Sequence, residues 1–175
     1  MKPVRMVALG VAFGAVWLLV LFAGGADKGR VGAEIVGKPV PPVRGRTLDG
    51  DRYDIETQRG KWVVVNFFAT WCVPCRIEHP EFMEFARRHG RAGDATIVQV
   101  VIDDDPEEVA RFFRREGRLW PVIVGDTGKI AIEFGMTAVP ETYLTSPDGI
   151  VVAKWISSIT ADQLDEAIRR GGSSS

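Results

Sequence analysis

Two apolar runs, WVVVNFFA (62–69) and ATIVQVVI (95–102), constrain the fold more than any other feature of the chain. A strand with one face in water alternates apolar and polar residues. A run that is apolar at nearly every position belongs in a strand covered on both faces. The stretch between the two runs, from Val73 to about His89, reads as a helix, which gives the β-α-β arrangement of parallel strands. At 175 residues with 46% hydrophobic content, the chain can bury one ordinary core and fold without help.

The remaining segments extend this pattern. PVRGRTLDGDRYDI, with its Asp49-Gly50 turn, predicts a small N-terminal hairpin. DPEEVARFFRREG (105–117) carries the marks of a helix: Asp105 as N-cap, Pro106 in the first turn, Glu107 and Glu108 at the positive end of the dipole and Gly117 at the exit. That assignment accounts for the acidic cluster at 103–108, which lacks the spacing and glycine of a calcium loop. LWPVIV (119–124) reads as a strand, Lys129 to Phe134 as a short helix, and ETYLTS (141–146) and IVVAKWI (150–156) as antiparallel strands about a Pro147-Asp148-Gly149 turn. Thr160 and Gln163 form a capping box for a last helix ending near Arg170. The order predicts an α/β domain over 43–170, a mixed central sheet with flanking helices, and a loose tail at 171–175.

The N-terminus differs in character. Residues 6–23 form an uncharged apolar run, about 27 Å long as a helix at ~1.5 Å per residue, preceded by Lys2 and Arg5. This length exceeds the usual apolar centre of a cleaved signal peptide and fits an uncleaved transmembrane signal-anchor over residues 1–26, although Gly24-Gly25-Ala26 offers small residues for cleavage. No cysteine follows the run, which excludes lipid attachment there. Residues 27–42, rich in Gly and Pro, read as a tether. The basic residues ahead of the run place the domain on the extracytoplasmic side, with Lys28 and Arg30 weakening the asymmetry. With 22 Lys plus Arg against 23 Asp plus Glu, no excess of positive charge draws the chain to nucleic acid.

The chain has two cysteines, Cys72 and Cys75, spaced as Cys-x-x-Cys directly after the first apolar run and at the start of a helix. Unpaired N–H groups and the dipole at a helix start favour an anion, and a thiolate is such an anion. A free thiol ionises near 8.5, and this setting lowers the value to about 3.5–7.5. Cys72 is therefore the attacking group. Cys75, one turn on and deeper, would resolve the mixed disulfide. A zinc site would need more ligands than His79 and His89 offer at their spacing, so no metal is expected. A purely structural disulfide would close a loop too small to add much stability. The dithiol carries its own electrons and needs no cofactor.

Trp71-Cys72-Val73-Pro74-Cys75 resembles the active site of the thioredoxin family, with Pro80 where that family has a proline in its active-site helix. Val139-Pro140 resembles the family's cis-proline element, which faces the dithiol. The tether, the N-terminal hairpin, the inserted helix 105–117, and the phrases CRIEH (75–79) and VPETYL resemble the membrane-tethered TlpA, ResA and CcmG (DsbE) reductases, from about residue 36 to 170. The resemblance implies a thioredoxin-like fold, with Trp71, Val139, Pro140 and Glu141 at the substrate surface. The buried aspartate of thioredoxins corresponds to Asn66 here, which cannot titrate. Another group must then move the proton of Cys75. Glu78, three residues on along the helix, is the first candidate and Glu141 the second; a solvated surface carboxylate is the alternative for each. His79 lies within helical reach of Cys75, as a packed residue or a redox one.

With the anchor read from residues 6–23, the resemblance implies a membrane-anchored reductase in the periplasmic space, and a monomer is the default expectation. It would reduce disulfides in a partner protein, with apocytochrome c as the substrate during cytochrome c biogenesis and a membrane carrier of the CcdA or DsbD type as electron donor. Two alternatives stay open: a general disulfide oxidant or isomerase of the cell envelope, and a non-redox peptide-binding module using the groove between Trp71 and Pro140. Peroxidase chemistry fits less well, because Thr70 lies two residues before Cys72 rather than three.

Overall fold

The computed structural model describes residues 35–172. In chain order the elements are β1 (Arg44–Thr47), β2 (Arg52–Asp54), a 3-10 turn (Ile55–Gln58), β3 (Trp62–Phe68), α1 (Val73–Ala92), β4 (Ala95–Val101), α2 (Pro106–Glu116), β5 (Val122–Val124), α3 (Gly128–Glu133), β6 (Glu141–Thr145), β7 (Val151–Ile156) and α4 (Ala161–Gly172). Among the described residues, no helix is long and apolar enough to cross a membrane. The apolar run at 6–23, and with it the expected anchor, lies outside them.

The seven strands among the described residues join one mixed sheet in the order β2-β1-β5-β4-β3-β6-β7. The two apolar runs are the central parallel pair, with Val65 opposite Val98 and Asn66 opposite Gln99. β4 continues parallel to β5, and β3 pairs antiparallel with β6. The crossovers β3-α1-β4 and β4-α2-β5 step across the sheet in the same direction, so a constant hand puts both helices on the same face. On that face Phe68, Phe82, Phe85, Val109, Phe112, Phe113, Leu144 and Leu164 form one buried core. On the other face Val65, Phe67, Val100, Ile130, Phe134 and Tyr143 form a second, beneath α3 and the N-terminal segment. Each fully buried side chain of this size contributes ~1.5–3 kcal/mol relative to exposure.

The ends of the helices follow from local chemistry. Asp105 Oδ1 accepts the N–H groups of Glu107 (2.7 Å) and Glu108 (3.1 Å), as its N-cap position requires. Thr160 and Gln163 satisfy each other reciprocally at the start of α4. α1 runs three residues beyond the expected end at His89, to Ala92, and stops where Gly93 adopts a left-handed φ of 70° that a glycine takes without strain.

Other boundaries also differ from the sequence reading. β5 begins at Val122 rather than Leu119, because Pro121 has no N–H for a ladder and Trp120 turns its side chain into the core. α4 continues through Gly171 and Gly172, the start of the expected tail. Residues 37–40, assigned to the tether, are tied into the domain: Pro39 bridges Ile150, Val40 N–H donates to Gly149 O (2.8 Å) and Val151 N–H donates to Lys38 O (2.9 Å). The β6–β7 turn leaves backbone groups that need partners, and this segment supplies them.

Candidate active site

β3 delivers the chain to the C-terminal edge of the central strands, where Ala69, Thr70 and Trp71 turn it into α1. Thr70 is fixed there by Asp104, whose carboxylate accepts both its N–H and its hydroxyl. Trp71 is 57% exposed and donates its indole N–H to Asp103 O (2.9 Å), so the ring is held at the surface without being covered. Cys72 is the N-cap of α1, and its Sγ accepts the N–H of Cys75 at 3.2 Å. The two cysteines form a disulfide with Cα atoms 5.3 Å apart. Cys72 is 5% exposed and Cys75 is wholly buried, so an incoming group meets Cys72 first.

Glu78, one helical turn after Cys75, is 1% exposed and thus not a solvated surface carboxylate. One oxygen accepts from Asn66 Nδ2 (3.0 Å) and the other from the N–H of Ile159 (3.4 Å). Burial pushes the carboxyl up to about 7, against the two hydrogen bonds, which favour the charged form. A carboxyl in this range exchanges protons at neutral pH.

The Val139–Pro140 peptide bond is cis. Pro140 is buried and Val139 is half-buried, packing against the cores of both faces. The β7–α4 loop ties this segment to α1: Ser157 N–H donates to Pro140 O (2.9 Å), Ser158 Oγ to Pro74 O (3.2 Å) and Ile159 N–H to Glu78. The geometry therefore brings Cys72, Cys75, Glu78 and the Pro140 segment together around one loop.

Glu141 does not join them. Strand alternation turns Thr142 towards Asn66 and α1, and Glu141 towards the opposite face, beside Tyr143. Its carboxylate is wholly buried and accepts from Thr137 N–H (3.0 Å) and the Tyr143 hydroxyl, and pairs with Lys154 Nζ at 2.8 Å. Burial alone would raise this carboxyl, but Lys154, Thr137 and Tyr143 outweigh it and hold it below the usual range. This is a saturated structural ion pair. It reaches neither the dithiol nor a substrate through its side chain, which corrects both roles expected of Glu141 by its neighbour Pro140. His79 packs against Phe112, Phe113 and Trp120 and donates its Nε2–H to Gly117 O (3.0 Å). Burial lowers its basicity, and it serves as a packed histidine holding the end of α2.

Sequence reasoning missed the buried amides around Glu78. Asn66 Oδ1 accepts from Gln99 Nε2 (2.9 Å), and Gln99 Oε1 accepts from Trp120 Nε1 (2.7 Å). The signal was present: Asn66 and Gln99 interrupt two otherwise apolar runs at positions that a parallel register sets side by side.

The chain is similar to known proteins. The Redoxin family matches residues 35–166. The chain is 35% identical over 111 residues to the thiol:disulfide interchange protein CycY of Rhizobium leguminosarum bv. viciae, a match spanning 63% of this chain and 58% of that relative. It is 28% identical over 166 residues to the thiol-disulfide oxidoreductase ResA of Bacillus thuringiensis (strain Al Hakam), covering 95% of this chain and 94% of that one. The crystal structure of a DsbF homologue from Corynebacterium diphtheriae superposes with a TM-score of 0.70 at 26% identity, over 76% of this chain and 86% of that one. The chain belongs to the Redoxin family, and Cys72 and Cys75 are the CxxC redox pair of a thiol-disulfide oxidoreductase.

Proposed function

We propose that the protein is an extracytoplasmic, membrane-anchored reductase of protein disulfides, with a disulfide in apocytochrome c as its substrate. Starting from the dithiol, the Cys72 thiolate attacks one sulfur of the substrate disulfide and expels the other as a thiolate, leaving a mixed disulfide. Cys75 then gives its proton to Glu78, attacks Cys72 Sγ and expels the second substrate sulfur. The substrate gains two electrons and the enzyme is left as the Cys72–Cys75 disulfide. A membrane dithiol carrier of the CcdA or DsbD type returns the two electrons.

The observation that carries this reading is Glu78: a buried carboxyl poised near neutrality on the helix of the resolving thiol. Resolution of the mixed disulfide needs a proton acceptor at Cys75, and Asn66 cannot be one. The choice of substrate rests on the resemblance of CRIEH and PET (140–142) to CcmG-type reductases, and the location rests on the apolar run 6–23. Trp71 and the Pro140 segment would bear against the substrate on either side of Cys72. The test is a trap: with Cys75→Ser in the full chain, mixed disulfides accumulate at Cys72 and are identified by mass spectrometry. The expected partners are apocytochrome c chains. A set containing only other envelope proteins would overturn the substrate, and no trapped partner would overturn the reductase.

A further inference from the structure

The buried polar groups next to Glu78 form a chain with a single possible direction. Asn66 stands opposite Gln99 on one side of β3 and opposite Thr142 on the other. Asn66, Gln99, Thr142 and Trp120 are all buried. An indole N–H only donates, so the atom of Gln99 facing Trp120 must be the oxygen. The Gln99 amide nitrogen then faces Asn66, so the facing atom of Asn66 must also be the oxygen. The Asn66 nitrogen is left pointing at Glu78 (3.0 Å) and at Thr142 Oγ1 (3.0 Å). The Thr142 hydroxyl can donate or accept and imposes no direction. Ionised Glu78 imposes the same direction from its end; of the neutral groups in the chain only Trp120, two amides away from the carboxyl, imposes it in both protonation states of Glu78.

We propose that Trp120, Gln99 and Asn66 are positioning residues that lock the Asn66 amide with its N–H towards Glu78, so that this carboxyl meets a donor there and never an acceptor. A carboxylate accepts from that N–H, whereas a protonated carboxyl would need the amide oxygen to receive its own O–H. The lock therefore holds back the protonated form, although burial favours it. Without the indole N–H, Gln99 and Asn66 are free to rotate by half a turn, Thr142 can donate in place of accepting, and the acid form of Glu78 gains a partner.

The titratable residues near this carboxyl on its own helix are Cys75, His79 and Glu81, the last occupied by Ala161 N–H. Facing it from other elements are Asn66 of β3, Thr142 of β6 and Ile159 N–H of the β7–α4 loop, and no charged side chain is among the causes of its shift. His79 also packs on Trp120, so a control for packing is required.

The consequence for catalysis rests on the reading of Glu78 as the proton acceptor of Cys75; the orientation of the amides does not. The test is a carbon-13 titration of the Glu78 carboxyl in the oxidised full chain, where the disulfide removes both cysteines from the titration, with Glu78→Gln assigning the signal. Trp120→Phe and Gln99→Met should each move the midpoint upward by about one pH unit, a tenfold fall in the carboxylate-to-acid ratio at a given pH. Phe82→Leu, which disturbs the ring packed on Trp120 but keeps the indole N–H, should leave it in place. If Trp120→Phe does not fold, Gln99→Met carries the same test. An unmoved midpoint in these variants, or an equal rise in Phe82→Leu, overturns the relay. If the midpoint moves and the pH profile of substrate release does not follow, the relay stands and the assignment of Glu78 as proton acceptor falls.

Discussion

A carboxyl that is 1% exposed, has no basic partner among the described residues and lies one turn from the buried Cys75 is in an expensive position for an ordinary glutamate. Its two hydrogen bonds offset only part of that cost, which is why it titrates near neutrality. Above about pH 7 Glu78 is a carboxylate and can take the proton of Cys75; below it the carboxyl is occupied, so release of substrate from the mixed disulfide should slow as pH falls through 7. Glu78→Gln removes the acceptor. We expect single-turnover release to slow by about a hundredfold at pH 7.5, a typical loss for a general base, and the step near pH 7 to vanish, with the first attack by Cys72 little changed. Unchanged release kinetics would sink the role. The residue was legible in the sequence by its spacing from Cys75, but its burial was not. Position i+3 fits either a wet or a dry helix face, and the groups that decide it, Asn66 and Ile159, are 12 and 81 residues away. Glu141 shows the reverse. Adjacency to Pro140 suggested a place at the dithiol, while strand alternation, also readable from the sequence, assigns it to the other face with Lys154.

At the scale of elements, the site depends on how α1 and α2 begin. α1 starts at Cys72, which serves as cap and redox group at once: its sulfur accepts Cys75 N–H in the place of a serine or aspartate oxygen. α2 starts at Asp105, directly after the Asp103–Asp104 turn that holds Trp71 and Thr70. Asp105→Ala removes the acceptor for two backbone N–H groups and should lower unfolding stability by about 1 kcal/mol in denaturant titration. A loss below a few tenths would mean that water replaces the cap without cost. The helices and their caps were readable because capping is local, settled within three or four residues. β5 was readable only in part. Pro121 marked a boundary that the apolar string LWPVIV concealed, and the inward turn of Trp120 follows from its partner Gln99, 21 residues away.

For the whole molecule, the central parallel pair, the mixed sheet and the flanking helices follow from the two apolar runs and their connections. The buried polar network and the docking of residues 37–40 against the β6–β7 turn depend on pairings between distant segments that no single stretch announces. The fold leaves Cys72 slightly exposed, buries Cys75 completely, and buries Glu78 one helical turn further along α1. Whether this assembly gives or takes electrons is set by the relative stability of dithiol and disulfide. The most direct measurement is the equilibrium reduction potential of the Cys72–Cys75 pair in the full chain, titrated against glutathione or dithiothreitol. The reductase account predicts a value near or below that of thioredoxin, about −270 mV. A value approaching that of DsbA, about −120 mV, would contradict it and make the protein an oxidant.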